Sequence, residues 1–421
     1  MTANDYLETM EDQVARTGIY LPPTFKDEMV QHVRNHFLPW NRTHAQRFGS
    51  ILKHVKRLQS YHIQQEKLFD VLLQDILASD LGIFKKMHVS PKIHVQQIAS
   101  GNWFTLFLMQ DQCIFGFGKS HYGELGLMSE SFVSHVLSDV PPALYIAAGH
   151  SAAYAIANNG KLFAWGCKAD GRLGVTKDAT ALAYAENGRI FQSESPVRFQ
   201  KISAGSTHAA ATSRDQYLYS WGMGQYNGFN RIKYLPKKLM KGKCLDVVCG
   251  VSGYHSVCLM ADGTVWGWGH NSMFALGLPK RKIYVKPHRL PFPPCEVDQV
   301  AAGWAHTVVH LRKGGFLCVG RNGVGQCNRP ISDSTSLDSM EDLGKATAVV
   351  ATFSPIFDVP LHGRIVCGSS STAIVTEEGS WTFGSNTGHL FRKCSKIFDH
   401  HAVFCRSKVL AMGYMVGFAK K

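Results

Sequence analysis

The stretch IAAGHSAAYAIANNGKLFAWGCKADGRLG, residues Ile146 to Gly174, decides how the rest of the chain is read. Two alanines and Gly149 open it, the pair Trp165–Gly166 ends seventeen residues after that glycine, and Gly171 and Gly174 follow five and eight residues later. Small residues at the start let backbones approach closely, the run Leu162–Trp165 supplies bulk between neighbouring elements, and the last glycines make a tight return.

The same spacing recurs along the chain. Gly101, Gly118, Gly123 and Gly126 form an earlier copy, with Phe117 in place of tryptophan. Gly205, Trp221 and Gly222 form a later one, in which Asn227 and Asn230 take the two turn places; asparagine is the residue after glycine that best tolerates positive φ. A fourth copy runs from Gly250 through Trp268–Gly269 to Gly277, its first glycine displaced by two residues, and a fifth has Gly303, Gly320, Gly325 and Asn328. The sixth, Gly368 to Phe383–Gly384, is one residue short, and a seventh opens at Val409–Gly413. Leading glycines 45 to 65 residues apart match one four-stranded blade each. The expected fold is mainly β, a seven-bladed β-propeller over residues 88–421, with six blades as the alternative. Closure of the ring stays open at this stage. Either Met87–Val95 joins the last unit, or the region before it plugs an incomplete seventh blade, or there are six blades.

Residues 1–87 have a different character. Glycine is sparse, and Phe48, Ile51, Leu52, Val55 and Leu58, then Leu68, Phe69, Leu72, Ile76 and Leu77, recur at helical spacing. A shorter helix is expected over Lys26–Leu38, after Pro22 and Pro23. An α-helical N-terminal region, apolar on one side, is therefore expected to dock on its own propeller or on a partner.

The glycine-punctuated units resemble the regulator of chromosome condensation repeat family, whose repeats open A-G-x-x-H-(S/T) and close W-G-x-N-x-x-G-Q-L-G. Ala204, Gly205 and His208, and again Ala302, Gly303, His306 and Thr307, carry the opening; Gly123–Gly126 and Gly171–Gly174 carry the turn. The resemblance covers roughly residues 88 to 421 and implies a seven-bladed propeller. Members include nucleotide exchange factors, chromatin-binding proteins, a plant photoreceptor and ubiquitin-ligase accessory regions, so the fold does not choose the function. The photoreceptor's G-W-x-H-T pattern occurs here once, at Gly303–Thr307, so no indole cluster is expected by that route.

Composition narrows the classes. Hydrophobic residues at 45% exclude a mainly disordered chain. Forty-five lysines and arginines against 31 aspartates and glutamates give a net charge of +14, which favours acidic partners: nucleic acid, ribosomes or another acidic surface. No apolar run approaches the roughly 18 residues that cross a bilayer. Asp5, Glu8, Glu11 and Asp12 argue against a signal or transit peptide, so the expected address is intracellular, cytoplasmic or nuclear, with organelle or cilium open. Eleven cysteines without a C-x-x-C pair, Cys244, Cys249 and Cys258 among them, read as reduced, packed thiols.

His208, His255 and His306 each stand thirteen residues before a Trp-Gly or Val-Gly pair, which predicts one repeated buried hydrogen-bonding role rather than a metal or catalytic set. With no phosphate loop, H-E-x-x-H or G-x-S-x-G present, no catalytic residue, cofactor or metal is expected.

Two basic segments form the candidate acidic-partner surface. Arg231, Lys233, Lys237, Lys238, Lys241 and Lys243 lie between the third and fourth units, and Lys280, Arg281, Lys282, Lys286 and Arg289 between the fourth and fifth. Both are expected in connections flanking one blade, with Tyr234 and Tyr284 placed to stack on bases. The longest gap, about residues 329 to 362, carries Asp333, Asp338, Glu341 and Asp342 and then the apolar Val349–Ala351, and is the candidate docking insertion. The functional expectation is a non-catalytic propeller scaffold that docks on a larger assembly through these segments and the helical arm. The alternatives are a guanine-nucleotide exchange factor for a small GTPase, or a chromatin- or RNA/ribosome-associated binding protein.

Overall fold

The computed structural model describes residues 95–177, 188–329, 335–337, 347–384, 403–405, 408–412 and 417–420. The helices expected within residues 1–87 lie outside them. Each repeat folds as an antiparallel meander. The first sheet is β1 (Val95–Ser100), β2 (Phe104–Met109), β3 (Ile114–Ser120) and β4 (Ser129–Val136); the second is β5 (Ala143–Ala148), β6 (Ala152–Ala157), β7 (Leu162–Gly166) and β8 (Phe191–Gln192). Next come β9 (Phe199–Ala204), β10 (His208–Ser213), β11 (Leu218–Gly222) and β12 (Lys233–Lys238), then β13 (Cys244–Cys249), β14 (His255–Met260), β15 (Val265–His270) and β16 (Ile283–Arg289). The fifth sheet has β17 (Val297–Ala302), β18 (His306–Leu311), β19 (Phe316–Arg321), then β21 (Thr347–Pro355), with the short β20 (Thr335–Leu337) on its outer edge. The sixth is β22 (Arg364–Cys367), β23 (Ser371–Val375), β24 (Ser380–Gly384) and β25 (Val403–Cys405), and a last, two-stranded sheet pairs β26 (Lys408–Met412) with β27 (Gly417–Lys420).

The first strand of each sheet is innermost, and these strands lie side by side around the ring: β1, β5, β9, β13, β17, β22 and β26, with β26 next to β1 again. Among the described residues the fold is thus a propeller of six full blades, not seven. Lys408–Lys420 holds one hairpin rather than a four-stranded sheet. β1 begins a blade of its own at Val95, and Met87–His94, the rest of the segment expected to join the last unit, lie outside the described residues. Among the described residues the helical positions are the short 3₁₀ segment Ala169–Gly171 and Lys177.

The leading glycines explain themselves at the inner rim. A Cβ on Gly149 would lie 2.5 Å from the Gly205 carbonyl oxygen, and one on Gly303 would lie 2.0 Å from the His306 ring and 2.6 Å from the Gly368 oxygen. Neighbouring connections are also tied by backbone bonds: His150 N–H donates to Gly205 O at 3.2 Å, Ser206 N–H to Gly253 O at 2.8 Å and Trp304 N–H to Ser369 O at 2.9 Å. The displaced glycine of the fourth copy has its reason here, since Gly250 and Gly253 both face the next blade.

The Trp-Gly pair does two jobs. Trp165, Trp221 and Trp268 are fully buried between blades. Indole N–H groups of Trp165 and Trp221 donate to the turn carbonyls of Glu124 and Arg172 in the preceding blade, at 2.7 and 2.8 Å. The glycine that follows lies opposite the start of the second strand, as Gly222 does opposite His208, and takes φ of 100° where the ladder to the fourth strand slips by two residues. In the third copy's turn Asn230 adopts positive φ as expected, but Asn227 does not. Its amide instead donates to Gly222 O and Arg231 O, and its oxygen accepts the Phe229 N–H.

The histidines hold successive blades together. His208 Nε2 meets Ser256 Oγ at 2.7 Å, His255 Nε2 meets Thr307 Oγ1 at 3.0 Å, and His306 Nε2 meets Thr372 Oγ1 at 3.0 Å. Burial pushes His208 and His255 down to about 3 and His306 to about 4, so they work as neutral imidazoles. Cys244, Cys249 and Cys258 are free thiols packed with Leu218 and Trp268 in the core between the third and fourth blades.

Candidate interaction surface

Antiparallel strands dictate where each connection emerges. The first and third connections of every blade lie on one face, here called upper, and the second connection and the link to the next blade on the other. Arg231 therefore lies on the upper side before β12, while Lys237 and Lys238 end that strand on the lower side and Lys241 and Lys243 continue there. A six-residue strand spans about 20 Å, so this run is divided between two faces. Likewise Lys280, Arg281 and Lys282 precede β16 on the upper side, and Lys286 and Arg289 lie along it towards the lower one. The basic residues are not loose connections around one blade; they decorate and flank the outermost strands of two adjacent blades.

Local contacts hold several of these cations. The Asn271 amide donates to Leu278 O and Lys280 O, and Arg281 Nε donates to Ser272 O, all at 2.9 Å, which fixes the upper loop before β16. Lys238 lies 3.2 Å from the Tyr217 ring centroid, Lys282 4.9 Å from that of Tyr284 and Lys233 5.4 Å from that of Phe229. Desolvation, then the charges of Arg231 and Lys237, lowers the Lys233 pKa, so these cations share one crowded field. Tyr284 is buried at 6% exposure and its hydroxyl accepts the Lys280 N–H, so it offers no face to a base; Tyr234 is half-buried.

Asp333, Asp338, Glu341 and Asp342 lie outside the described residues. The apolar Val349–Ala351 is not part of an insertion, since it lies in β21 as the fourth strand of its blade.

A second feature of the upper face has no counterpart in the sequence-based expectations. The residue after the Trp-Gly-type glycine is Lys119, His270 or Arg321, and the first connection of the same blade carries Trp103, Tyr254 or Trp304. Lys119 Nζ stands 5.1 Å from the Trp103 ring centroid, and the Arg321 guanidinium 5.1 Å from that of Trp304. Tyr254 packs on Tyr226 with centroids 4.8 Å apart and His270 at 6.4 Å. All of these side chains are half-buried around the upper mouth of the central channel.

Among the described residues no three His, Cys, Asp or Glu side chains gather as a metal site, and no helix is long and apolar enough to cross a membrane. Residues 159–212 and 262–310, and in a second form 245–274, match the regulator of chromosome condensation (RCC1) repeat. The chain is 24% identical over 257 residues, 56% of its length, to the probable E3 ubiquitin-protein ligase HERC6 of Homo sapiens. It is 26% identical over 245 residues to the ultraviolet-B receptor UVR8 of Arabidopsis thaliana, again 56% of its length. To the guanine nucleotide exchange factor SRM1 of Saccharomyces cerevisiae it is 28% identical over 217 residues, 46% of its length. These matches span 24%, 54% and 45% of the three relatives. Among solved structures, Prp20p of Saccharomyces cerevisiae superposes with a TM-score of 0.62 at 20% identity, covering 76% of this chain and 80% of that one. Human WBSCR16 gives the same TM-score and identity, covering 79% and 89%.

Proposed function

We propose that this chain, a β-propeller of the regulator of chromosome condensation repeat family, is a non-catalytic docking module that joins a larger assembly through charge on its blades. One observation carries the reading. The buried histidines and indoles around the ring are occupied in joining blades, while cations stand exposed on and beside β12 and β16. A ring built this way presents a rigid surface for docking. The docking insertion with Asp333, Asp338, Glu341 and Asp342 and the N-terminal helical arm belong to the same proposal, as does the boundary between residues 87 and 88. Free buried thiols suit a reducing, intracellular compartment.

The test is affinity capture of cellular partners by the full chain, followed by salt titration. Charge reversal of Lys280, Arg281 and Lys282 to glutamate should lower capture about ten-fold or more, and rising salt should lower it further. Capture that ignores both salt and charge reversal rules the basic surface out.

The match to a guanine nucleotide exchange factor favours a second reading, release of nucleotide from a small GTPase. Acceleration of labelled GDP release across a GTPase panel would establish it, and its absence would leave the docking role. Retention on immobilised DNA or RNA at about 0.15 M salt would point instead to the chromatin- or RNA-associated role.

A further inference from the structure

We propose that the lower face of the propeller rests on an anionic lipid membrane. Lysines of the link between the third and fourth blades meet the headgroups, and Leu144, Leu245 and Leu361 enter the boundary between headgroups and acyl chains. The inference goes beyond the docking reading and stands apart from it, since it uses the face opposite Lys280–Lys282.

Shape is the first support. The second connection of each of the six full blades is four residues long: 110–113, 158–161, 214–217, 261–264, 312–315 and 376–379. Hairpins of equal length end at one level, whereas third connections on the upper side differ, as 121–128 and 271–282 do. A level, rigid face suits a planar surface.

The second support is which apolar side chains are exposed there. Leu144 is 44% exposed, Leu245 45% and Leu361 65%. Leu144 and Leu245 are the second residues of β5 and β13, and the ladder to the next strand skips each of them. A bulge thus turns them out of the packing that buries Ala143 and Ile146 around the first, and Cys244 and Val247 around the second. The backbone is held at each place. Ala143 N–H donates to Gln112 O at 3.0 Å, Cys244 N–H to Gln216 O at 2.6 Å, and Gly315 N–H to Leu361 O at 2.7 Å. The three leucines come from different blades and links, so they act as separate tips on a level face, which suits shallow insertion into a lipid interface.

Charge is the third support. Lys237 and Lys238 end β12, Lys241 and Lys243 follow it, and all four are exposed. Lys238 lies over Tyr217, and the side chains of the other three have no hydrogen-bond or ion-pair partner among the described residues. Beside them Asp246 pairs with Lys201 at 3.5 Å, and Asp262 accepts the Thr264 N–H and hydroxyl at 2.9 and 2.6 Å, which leaves Asp215 against four lysines. A cluster of exposed lysines beside aliphatic tips is attracted to anionic headgroups. Nucleic acid is less well served, because the cations are lysines without an arginine fork and Lys238 already covers a face of Tyr217.

The experiment is co-sedimentation of the full chain with vesicles of phosphatidylcholine alone or with about one-third phosphatidylserine, with oligothymidylate as the rival ligand and melting curves as fold controls. The chain should bind the serine-containing vesicles and leave the others. Lys241→Glu/Lys243→Glu should weaken binding about ten-fold or more and Leu245→Gln/Leu361→Gln about five-fold, while Ile232→Gln, at an exposed apolar residue of the upper side, changes it about two-fold or less. Should the leucine pair melt early, Leu144→Gln carries that arm with a loss of about three-fold. No binding to serine-containing vesicles, leucine exchanges without effect, equal losses from Ile232→Gln, or oligothymidylate bound through the same lysines in place of vesicles each overturn the proposal. If vesicles are ignored while salt-sensitive capture through Lys280–Lys282 persists, this face falls and the docking reading stands.

Discussion

Single residues of the repeat act through one contact each, and their substitution has a readable sign. Gly303→Ala places a methyl against the His306 ring and the Gly368 carbonyl, and the backbone atom cannot move aside. Stability should fall by about 1–3 kcal/mol, read as a lower urea midpoint. The three bridging histidines give a pH dependence. Above their ordinary value of 6.5 both folded and unfolded chains hold neutral imidazole, and they contribute no slope. Below it the unfolded chain takes up protons that the folded ring refuses until about pH 3–4, so stability is lost as pH falls through that window. Urea midpoints between about pH 7 and pH 5 should decline, and His255→Gln should start lower yet decline less. A midpoint independent of pH over that range would contradict neutral buried histidines. These residues were legible in the sequence because their constraint is local: a glycine that must approach a neighbour, an indole at a fixed interval, a histidine in register with it. Tyr284 was not legible, since its burial is decided by Leu276, Leu290 and the next blade rather than by its own neighbours in the chain.

At the level of the element, one strand converts a contiguous run of lysines into two separate groups. Arg231 and Lys243 are twelve residues apart in sequence, but β12 carries the chain from one face to the other between them. Charge reversal at Lys280–Lys282 and at Lys241 and Lys243 should therefore not be interchangeable: a partner on the upper face responds to the first and ignores the second, measured by capture from the same extract. Periodicity shows that β12 and β16 exist, yet not that their charges divide, because that follows only from the meander. The pairs Trp103–Lys119 and Trp304–Arg321 were hidden for a related reason, since each joins the first connection of a blade to the end of its third strand. Elements also differ in how they are sewn to the next. From the third blade to the sixth the stitch is histidine to hydroxyl. Between the first three blades it is indole to carbonyl, reinforced by Arg172, which donates to Ser151 Oγ of its own blade at 3.0 Å and to Ser206 O of the third at 3.1 Å.

For the molecule as a ring, the repeat count allowed seven blades or six, and the described residues supply six and a hairpin. The innermost strands nevertheless meet all the way round, because the first strand of the last unit, β26, is enough to occupy the gap between β22 and β1. Among the described residues the hairpin has no outer strands, where the bulky residues of other units pack. A closed ring resists opening only as well as its poorest join, in the manner of a split washer. Amides of β26 and of the facing β1 should exchange with deuterium before those of β9 and β13, and any ligand gripping both sides of that slit would slow them most.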